Sequence, residues 1–198
     1  FFSLHGNDFT GTVPGKVLRN MTQAIHINLS SNGFSGTIPT ELFMFTRLQH
    51  LFLSDNPFSA GPIPEEIGGM EQLSEISLKR TNLIGTLPEF TSFDDLYQND
   101  LSVTIRSSYG GLPSLRFLLL SRNPRLMGPV PIFSRPQNLQ TVVLDGTSVS
   151  GDFSSICQLP RFRDGVSVDN NVVVVNCSGA SDTSIQCSCC SCCEIEAG

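Results

Sequence analysis

Leucines in this chain alternate with other residues over short stretches, and the alternation returns at a nearly constant interval. In residues 48–53 and 115–120, leucines stand on either side of a single intervening residue. A period of two is typical of a short β-strand with one buried face. A polar turn follows each stretch. The pattern therefore predicts one short strand in each repeating unit.

An asparagine, or a threonine in the same position, ends each predicted strand and defines the period. These turn residues are Asn7, Asn32, Asn56, Thr81, Asn123, Thr147 and Asn171. On both sides of residues 82–122, successive turn residues are 24 or 25 positions apart. A fixed period of this length indicates a solenoid, in which each repeat packs only against its neighbours. The asparagine amide can satisfy backbone groups where the chain leaves the strand.

Two columns of apolar residues follow from this phase. The predicted strand core comprises Leu51, Leu53, Ile76, Leu78, Leu118, Leu120, Val142, Leu144, Val166 and Val168. A second column after the turn comprises Phe9, Phe34, Phe58, Leu83, Val149 and Val173. Glycine and proline recur beyond the second column, where glycine permits a sharp bend and proline prevents strand pairing. We therefore expect turns and short 3₁₀ helices on the outer side.

The combined motif, Leu-x-x-Leu-x-Leu-x-x-Asn-x-Phe-Ser-Gly-x-Ile-Pro, resembles the plant-specific subclass of leucine-rich repeats. That subclass occurs in plant receptor-kinase ectodomains and polygalacturonase-inhibiting proteins. The resemblance covers roughly residues 3–175. It implies an α/β solenoid of mostly short parallel strands with 3₁₀ turns, wound as a right-handed superhelix of about seven repeats. We divide the chain into a solenoid at 1–175 and a cysteine-rich C-terminal cap at 176–198.

The seven cysteines all lie near the C-terminal end, at Cys157, Cys177, Cys187, Cys189, Cys190, Cys192 and Cys193. Crowded cysteines after a solenoid favour a cap closed by disulfides in an oxidising compartment. We expect at least two disulfides, with Cys157–Cys177 as one plausible pair and adjacent cysteines bonded to different partners. The alternative is a soft-metal site, because Cys190 and Cys193 have zinc-like spacing. The tail also resembles those of secreted leucine-rich-repeat proteins of diatoms and related algae.

Composition and motifs exclude several classes of function. The net charge of −6 argues against nucleic acid, and there is no run of 18 apolar residues that would span a membrane. Phosphate loops, nucleophile elbows and zinc-protease motifs are absent from the sequence. All three histidines lie in the first 50 residues, far from the cysteines. We predict a non-enzyme without metal or cofactor. Because the chain starts within a repeat, we also expect a fragment or a mature piece.

The residues between the core leucines should line the concave face of the solenoid. One column contains two histidines and a glutamate, which could bind a metal, sense pH, or be ordinary exposed residues. The next column adds an apolar stripe with a basic rim, which is either a partner surface or a set of scattered surface residues. The candidate ligand-binding residues are His26, His50, Phe52, Glu75, Arg80, Arg116, Phe117, Leu119, Arg122 and Val143.

One interval breaks the period, because Leu73 and Leu115 are 42 residues apart. We place the excess in an insertion at 89–114, which could be a binding loop, a decoration or a degenerate repeat. Three sequons, at Asn20, Asn28 and Asn176, are candidate sites for N-linked glycans.

These observations predict an extracellular recognition module, secreted, at the cell surface or in the cell wall. It would bind protein, peptide or glycan through the concave face and the insertion. The alternative is a structural subunit of a wall, sheath or filament, assembled by end-to-end stacking and self-association.

Overall fold

The computed structural model describes residues 1–88, 95–113, 115–135, 138–160, 162, 172–176 and 185–193. In these residues the chain forms two stacks of short parallel strands. The first stack lies on the face that the sequence predicts to be concave. Its strands are β1 (Phe2–Ser3), β3 (His26–Asn28), β5 (His50–Phe52), β6 (Glu75–Ser77), β9 (Phe117–Leu119), β11 (Thr141–Val143), β13 (Val172–Asn176) and β15 (Ser191–Cys193).

The second stack, which we call lateral, follows the turn of each repeat. Its strands are β2 (Thr10–Thr12), β4 (Gly33–Ser35), β7 (Ile84–Gly85), β8 (Asp100–Leu101), β10 (Met127–Pro129), β12 (Ser148–Asp152) and β14 (Ile185–Gln186). Short helices complete the repeats: α1 (Gly15–Leu18), α2 (Ser154–Cys157), and 3₁₀ helices at Thr40–Met44, Glu65–Gly69 and Ser107–Gly111. Pro14, Pro39 and Pro64 directly precede three of them. Among the described residues, no helix has the length and apolar character needed to cross a membrane.

The hydrophobic core lies between the two stacks and the helices. The eight predicted strand-core residues from Leu51 to Leu144 are at most 2% exposed. Val166 and Val168 lie outside the described residues. In the second column Phe34, Phe58, Leu83 and Val149 are buried as predicted. Phe9 is 47% exposed, although its ring stacks on that of Phe34.

A ladder of buried amides joins successive repeats at the turn. The Asn56 Nδ2 atom donates hydrogen bonds to the carbonyl oxygen of Leu53 at 2.9 Å and to that of Leu29, in the preceding repeat, at 3.0 Å. Its Oδ1 atom accepts from the backbone N–H of Phe34 at 3.1 Å. Asn123 has the same pattern of bonds. One side chain thus satisfies buried backbone groups in two repeats, which explains why asparagine recurs at this position.

Of the alternatives left open for the insertion at 89–114, its described part, residues 95–113, forms a shortened repeat. Asn99 occupies the position of the turn asparagine. Its side-chain amide forms hydrogen bonds with backbone groups of Leu78, Leu83 and Leu96, as the amide of Asn56 does with its own neighbours. Asp95 forms a β-bridge with Ser77 on the concave side. This repeat follows the turn of Thr81 by only 18 residues, so a search for a 24-residue period passes over it.

The last concave strand also differs from the predicted one. Val173 was expected in the second column, but it lies in β13 and pairs with Val142 of β11. These partners are 31 residues apart in sequence, so the spacing is longer than the period. Residues 172–175 are four consecutive valines, which favour an extended strand, and pairing with β11 buries Val173 and Val175 in the core. The predicted turn residue Asn171 lies outside the described residues.

The C-terminal tail closes the solenoid with disulfides, which confirms the predicted cap. Cys157 is bonded to Cys189 and Cys187 to Cys190, with Cα–Cα distances of 5.5 and 5.6 Å. Adjacent cysteines therefore have different partners, as predicted. The proposed pair of Cys157 with Cys177 is wrong, since Cys157 is already bonded, and Cys177 lies outside the described residues.

The tail is also a continuation of both strand stacks. Strand β14 pairs with β12 on the lateral side, and β15 pairs with β13 on the concave side. The side chains of Cys192 and Cys193 lie outside the description. The described part of 176–198 therefore extends the solenoid that we had ended at residue 175.

Candidate functional site

The concave stack places equivalent residues of successive repeats side by side. His26, His50 and Glu75 are paired in register on β3, β5 and β6. Neighbouring strands in a sheet lie about 4.8 Å apart. The predicted column of two histidines and a glutamate is therefore present, and its members are direct neighbours.

We call Phe1, His26, His50, Phe52 and Glu75 the histidine cluster. The His26 ring stacks on that of Phe1 with 4.2 Å between centroids and lies 5.6 Å from His50. It also lies 5.4 Å from the ring of Phe52. His50 Nδ1 is 3.0 Å from a carboxylate oxygen of Glu75. Four rings and one carboxylate thus form a continuous surface at the N-terminal end of the concave face.

The two histidines have different electrostatic surroundings. Burial against the neighbouring rings lowers the pKa of His26, and the positive charge that His50 can bear lowers it further. The pKa of a histidine falls in this way because both effects penalise the imidazolium form. Neutral imidazole is therefore favoured at His26. His50, in contrast, has the Glu75 carboxylate as a hydrogen-bond partner.

A second cluster, which we call the apolar patch, consists of Phe117, Leu119, Val143 and Val174. Leu119, Val143 and Val174 are in register on β9, β11 and β13. All four side chains are half-buried. The Arg116 guanidinium lies 5.2 Å from the centre of the Phe117 ring, which fits a cation–π contact.

The sequence missed two residues between these clusters, Asp95 and Tyr97. The N–H and C=O groups of Asp95 form hydrogen bonds with the backbone of Ile76 and Leu78, on either side of Ser77, and the Leu96 N–H donates to the carbonyl oxygen of Leu119. Asp95 therefore lies between Ser77 and Leu119. A polar and an acidic residue therefore separate Phe52 from Leu119. The apolar stripe expected to contain Phe52, Leu119 and Val143 is thus interrupted between Phe52 and Leu119, because the shortened repeat inserts Asp95 there.

Charged side chains surround Tyr97 at the centre of the face. Lys79 Nζ lies 5.0 Å and the Arg122 guanidinium 5.4 Å from the centre of its ring. Arg80 is paired with the carboxylate of Asp55. The predicted basic residues thus lie beside the concave strands, but Arg80 already has an acidic partner within the chain.

Burial also perturbs Asp95. It raises the pKa of this carboxyl group, although the hydrogen bond from the Tyr97 N–H acts in the opposite direction. Residues 96–101, Leu-x-x-Asn-x-Leu, repeat the second half of the strand motif. That half-motif was the signal that could have placed Asp95 and Tyr97 on the concave face.

The three sequons lie in different environments. Asn20 is exposed just after α1, beside a surface groove lined by Arg19, Glu41 and Met44. Asn28 is half-buried on the concave strand β3, and its Oδ1 atom accepts a hydrogen bond from the Ser30 N–H at 3.0 Å. The side chain of Asn176 lies outside the description.

Comparisons with known proteins place this geometry in a family. The family model for the Leucine Rich Repeat matches residues 24–45 and 47–70. Receptor-like kinase TMK2 of Arabidopsis thaliana is 26% identical over 179 residues, which are 82% of this chain and 20% of that protein. The chain thus spans about a fifth of the length of this relative.

Solved structures of plant receptors have the same fold. The LRR ectodomain of the receptor kinase GASSHO1/SCHENGEN3 from Arabidopsis thaliana, in complex with CASPARIAN STRIP INTEGRITY FACTOR 2, aligns with a TM-score of 0.73 and 28% identity. The alignment covers 87% of this chain and 20% of that one. The plant peptide hormone receptor RGFR1, in complex with RGF2, aligns with a TM-score of 0.73 and 27% identity, over 88% and 29% of the two chains.

The repeated strand, the asparagine ladder and the short outer helices define a right-handed leucine-rich-repeat solenoid. The chain is a leucine-rich-repeat protein of the plant type, and it resembles the ectodomains of plant receptors.

Proposed function

We propose that this chain is an extracellular, non-catalytic recognition module that binds an extended peptide or protein segment along its concave face. The observation on which this rests is the apolar patch of Phe117, Leu119, Val143 and Val174. These side chains are only half-buried although they lie on consecutive strands of one sheet. Apolar groups in such an array gain free energy when a partner removes them from water.

The neighbouring charges favour a peptide with acidic residues. Lys79 and Arg122 both lie over the Tyr97 ring, within 5.4 Å of its centre, and neither has an ion-pair partner among the described residues. A carboxylate of the ligand would meet both cations, while apolar side chains of the ligand cover Leu119 and Val143.

The comparisons support this proposal. Two solved ectodomains with 27–28% identity are complexes with a named partner, and one of them is a peptide hormone receptor. Because this chain spans only part of those proteins, their ligands are not transferred to it. Glycans remain a further ligand class, and from the segment 89–114 the proposed surface includes Tyr97.

A peptide-display selection tests the proposal. A random peptide library is selected on the secreted chain, and affinities of the enriched peptides are measured by biolayer interferometry. The double variant Phe117→Ser with Leu119→Ser should weaken binding at least tenfold. The control Ile132→Ser replaces an apolar residue that is 77% exposed in the outer half of its repeat, and it should leave affinity unchanged. Equal affinity of both variants would overturn the concave site.

The same preparation tests the structural alternative. Size-exclusion chromatography and non-reducing gels distinguish monomers from disulfide-linked or stacked polymers. Monomers that bind a peptide support the recognition module, whereas polymers without peptide binding support a wall, sheath or filament subunit.

We also propose an N-linked glycan at Asn20, because this side chain is exposed and lies away from the concave strands. Asn28 is a poorer acceptor, since its amide is half-buried and bonded to Ser30. Enzymatic deglycosylation should remove one glycan mass from the secreted chain, and Asn20→Gln should abolish that mass change.

A further inference from the structure

We propose that His26 and His50, supported by Glu75, form a binding site for a transition-metal ion of the Zn²⁺ and Cu²⁺ class on the concave face. This inference is independent of the proposed peptide binding, since it rests on the histidine cluster and not on the apolar patch.

The first argument is the position of the two rings. His26 and His50 are paired across β3 and β5, and their ring centroids are 5.6 Å apart with an interplanar angle of 44°. Two imidazoles that bind one Zn²⁺ at tetrahedral angles, each with a Zn–N distance of about 2.0–2.1 Å, have centroids roughly 5 Å apart. The observed separation of the two rings is therefore close to the one that binding to a single ion requires.

The second argument is the hydrogen bond of His50. Its Nδ1 atom lies 3.0 Å from the Glu75 carboxylate, which can only accept, so Nδ1 donates this hydrogen bond and Nε2 is the nitrogen that a neutral ring would offer to a metal ion. A carboxylate that holds the far nitrogen of a histidine is the usual support of a zinc ligand, because it orients the ring and makes it more basic.

The third argument is that His26 is available as a ligand. Among the described residues, neither of its ring nitrogens has a hydrogen-bond partner, although the ring is half-buried against Phe1 and Phe52. Imidazole nitrogen suits Zn²⁺ and Cu²⁺, whereas Mg²⁺ and Ca²⁺ prefer oxygen ligands.

The cluster has to close around the ion. Among the described residues, only one group of three histidine, cysteine or carboxylate ligand atoms lies within 4.8 Å of one another. These atoms are cysteine sulfurs, and they belong to the two disulfides. The rings of His26 and His50 must therefore rotate to bring one nitrogen of each onto the ion, while Glu75 stays hydrogen-bonded to His50. Water, or a group of a bound ligand, completes the coordination shell.

Calorimetric titration with Zn²⁺ at pH 7.5 tests the proposal. The chain is blocked at its amino terminus, so that the α-amino group next to His26 offers no competing ligand. We expect one Zn²⁺ per chain, at least tenfold weaker binding for His26→Gln and for His50→Gln, and about tenfold weaker binding for Glu75→Gln. His5→Gln is the matched control, because His5 is the third histidine of the chain and its Nδ1 atom already contacts the Ser30 carbonyl.

Electron paramagnetic resonance of bound Cu²⁺ provides a second readout. The proposal expects hyperfine coupling to two imidazole nitrogens, and loss of one of them in each histidine variant. Absence of binding at millimolar Zn²⁺ would overturn the proposal. So would binding that survives both histidine variants, or a Cu²⁺ spectrum with sulfur ligands. Circular dichroism of each variant verifies that the fold is retained.

Discussion

Replacing Asn99 by alanine tests whether residues 95–113 are a structural repeat or a loop. The Asn99 side chain is 8% exposed, and its Oδ1 atom accepts hydrogen bonds from the backbone N–H groups of Thr81 at 3.1 Å and Leu83 at 3.0 Å. Its Nδ2 atom donates to the carbonyl oxygens of Leu78 and Leu96. Alanine removes these four bonds at once, together with a longer one from the Thr81 hydroxyl to Oδ1 at 3.3 Å.

The expected loss follows from which backbone groups keep a partner. The two carbonyl oxygens each retain a hydrogen bond from a neighbouring side chain. The N–H groups of Thr81 and Leu83 lose the Asn99 oxygen, and both residues are at most 2% exposed. A buried unsatisfied polar group costs about 1–3 kcal/mol. We therefore expect Asn99→Ala to lower the free energy of unfolding by roughly 3 kcal/mol.

Equilibrium urea denaturation measures this change, followed by far-UV circular dichroism and by tyrosine fluorescence. Tyr109 lies fully buried in the same repeat and reports its loss of structure. Asn138→Ala is the control, since Asn138 is exposed and has no hydrogen bond among the described residues, and its effect should stay within about 0.5 kcal/mol. Asn56→Ala should match Asn99→Ala. If Asn99→Ala behaves like the exposed control, residues 95–113 are not an integral repeat.

Three further predictions concern packing, cross-links and charge. A β-carbon on Gly110 would lie 1.9 Å from a carbonyl oxygen of the next repeat, so Gly110→Ala should lower the free energy of unfolding, measured by thermal unfolding, by at least about 2 kcal/mol. Gly111→Ala is the control and should be neutral, because no atom lies within 4 Å of the added β-carbon. Replacing both cysteines of the Cys157–Cys189 bond by serine should lower the free energy of unfolding in urea by about 4 kcal/mol, and the same change at Cys187–Cys190 should lower it by about 2 kcal/mol. The first bond contributes more because it closes a longer loop, so equal losses would contradict this reasoning. Burial raises the pKa of Asp95 above its ordinary 3.8, so the folded chain keeps this proton where the unfolded chain has lost it. Stability should therefore fall as pH rises above 3.8, and Asp95→Asn should reduce that slope in unfolding measured from pH 4 to 7.

The regular part of the concave face could be predicted because its spacing is constant. His26, His50 and Glu75 are in register because their strands are separated by one full repeat each. The repeat that contains Asp95 could not be placed in this way, because it is shorter than the others and lacks the leading leucines. Its strongest local signal, the half-motif ending at Leu101, was too short to stand out against the 24-residue period.

By itself, the sequence determined the repeat, the buried leucines and the role of the turn asparagine. These features depend on local alternation and on backbone groups that every repeat must satisfy. Only the tertiary structure decided that Asp95 separates Phe52 from Leu119, that Val173 pairs with Val142, and that Cys157 is bonded to Cys189. Strand pairing and disulfide formation join residues far apart in the chain. These contacts depend on which residues lie side by side in neighbouring repeats, so they can form even where the spacing in the sequence is irregular. A search for a constant period does not reveal them.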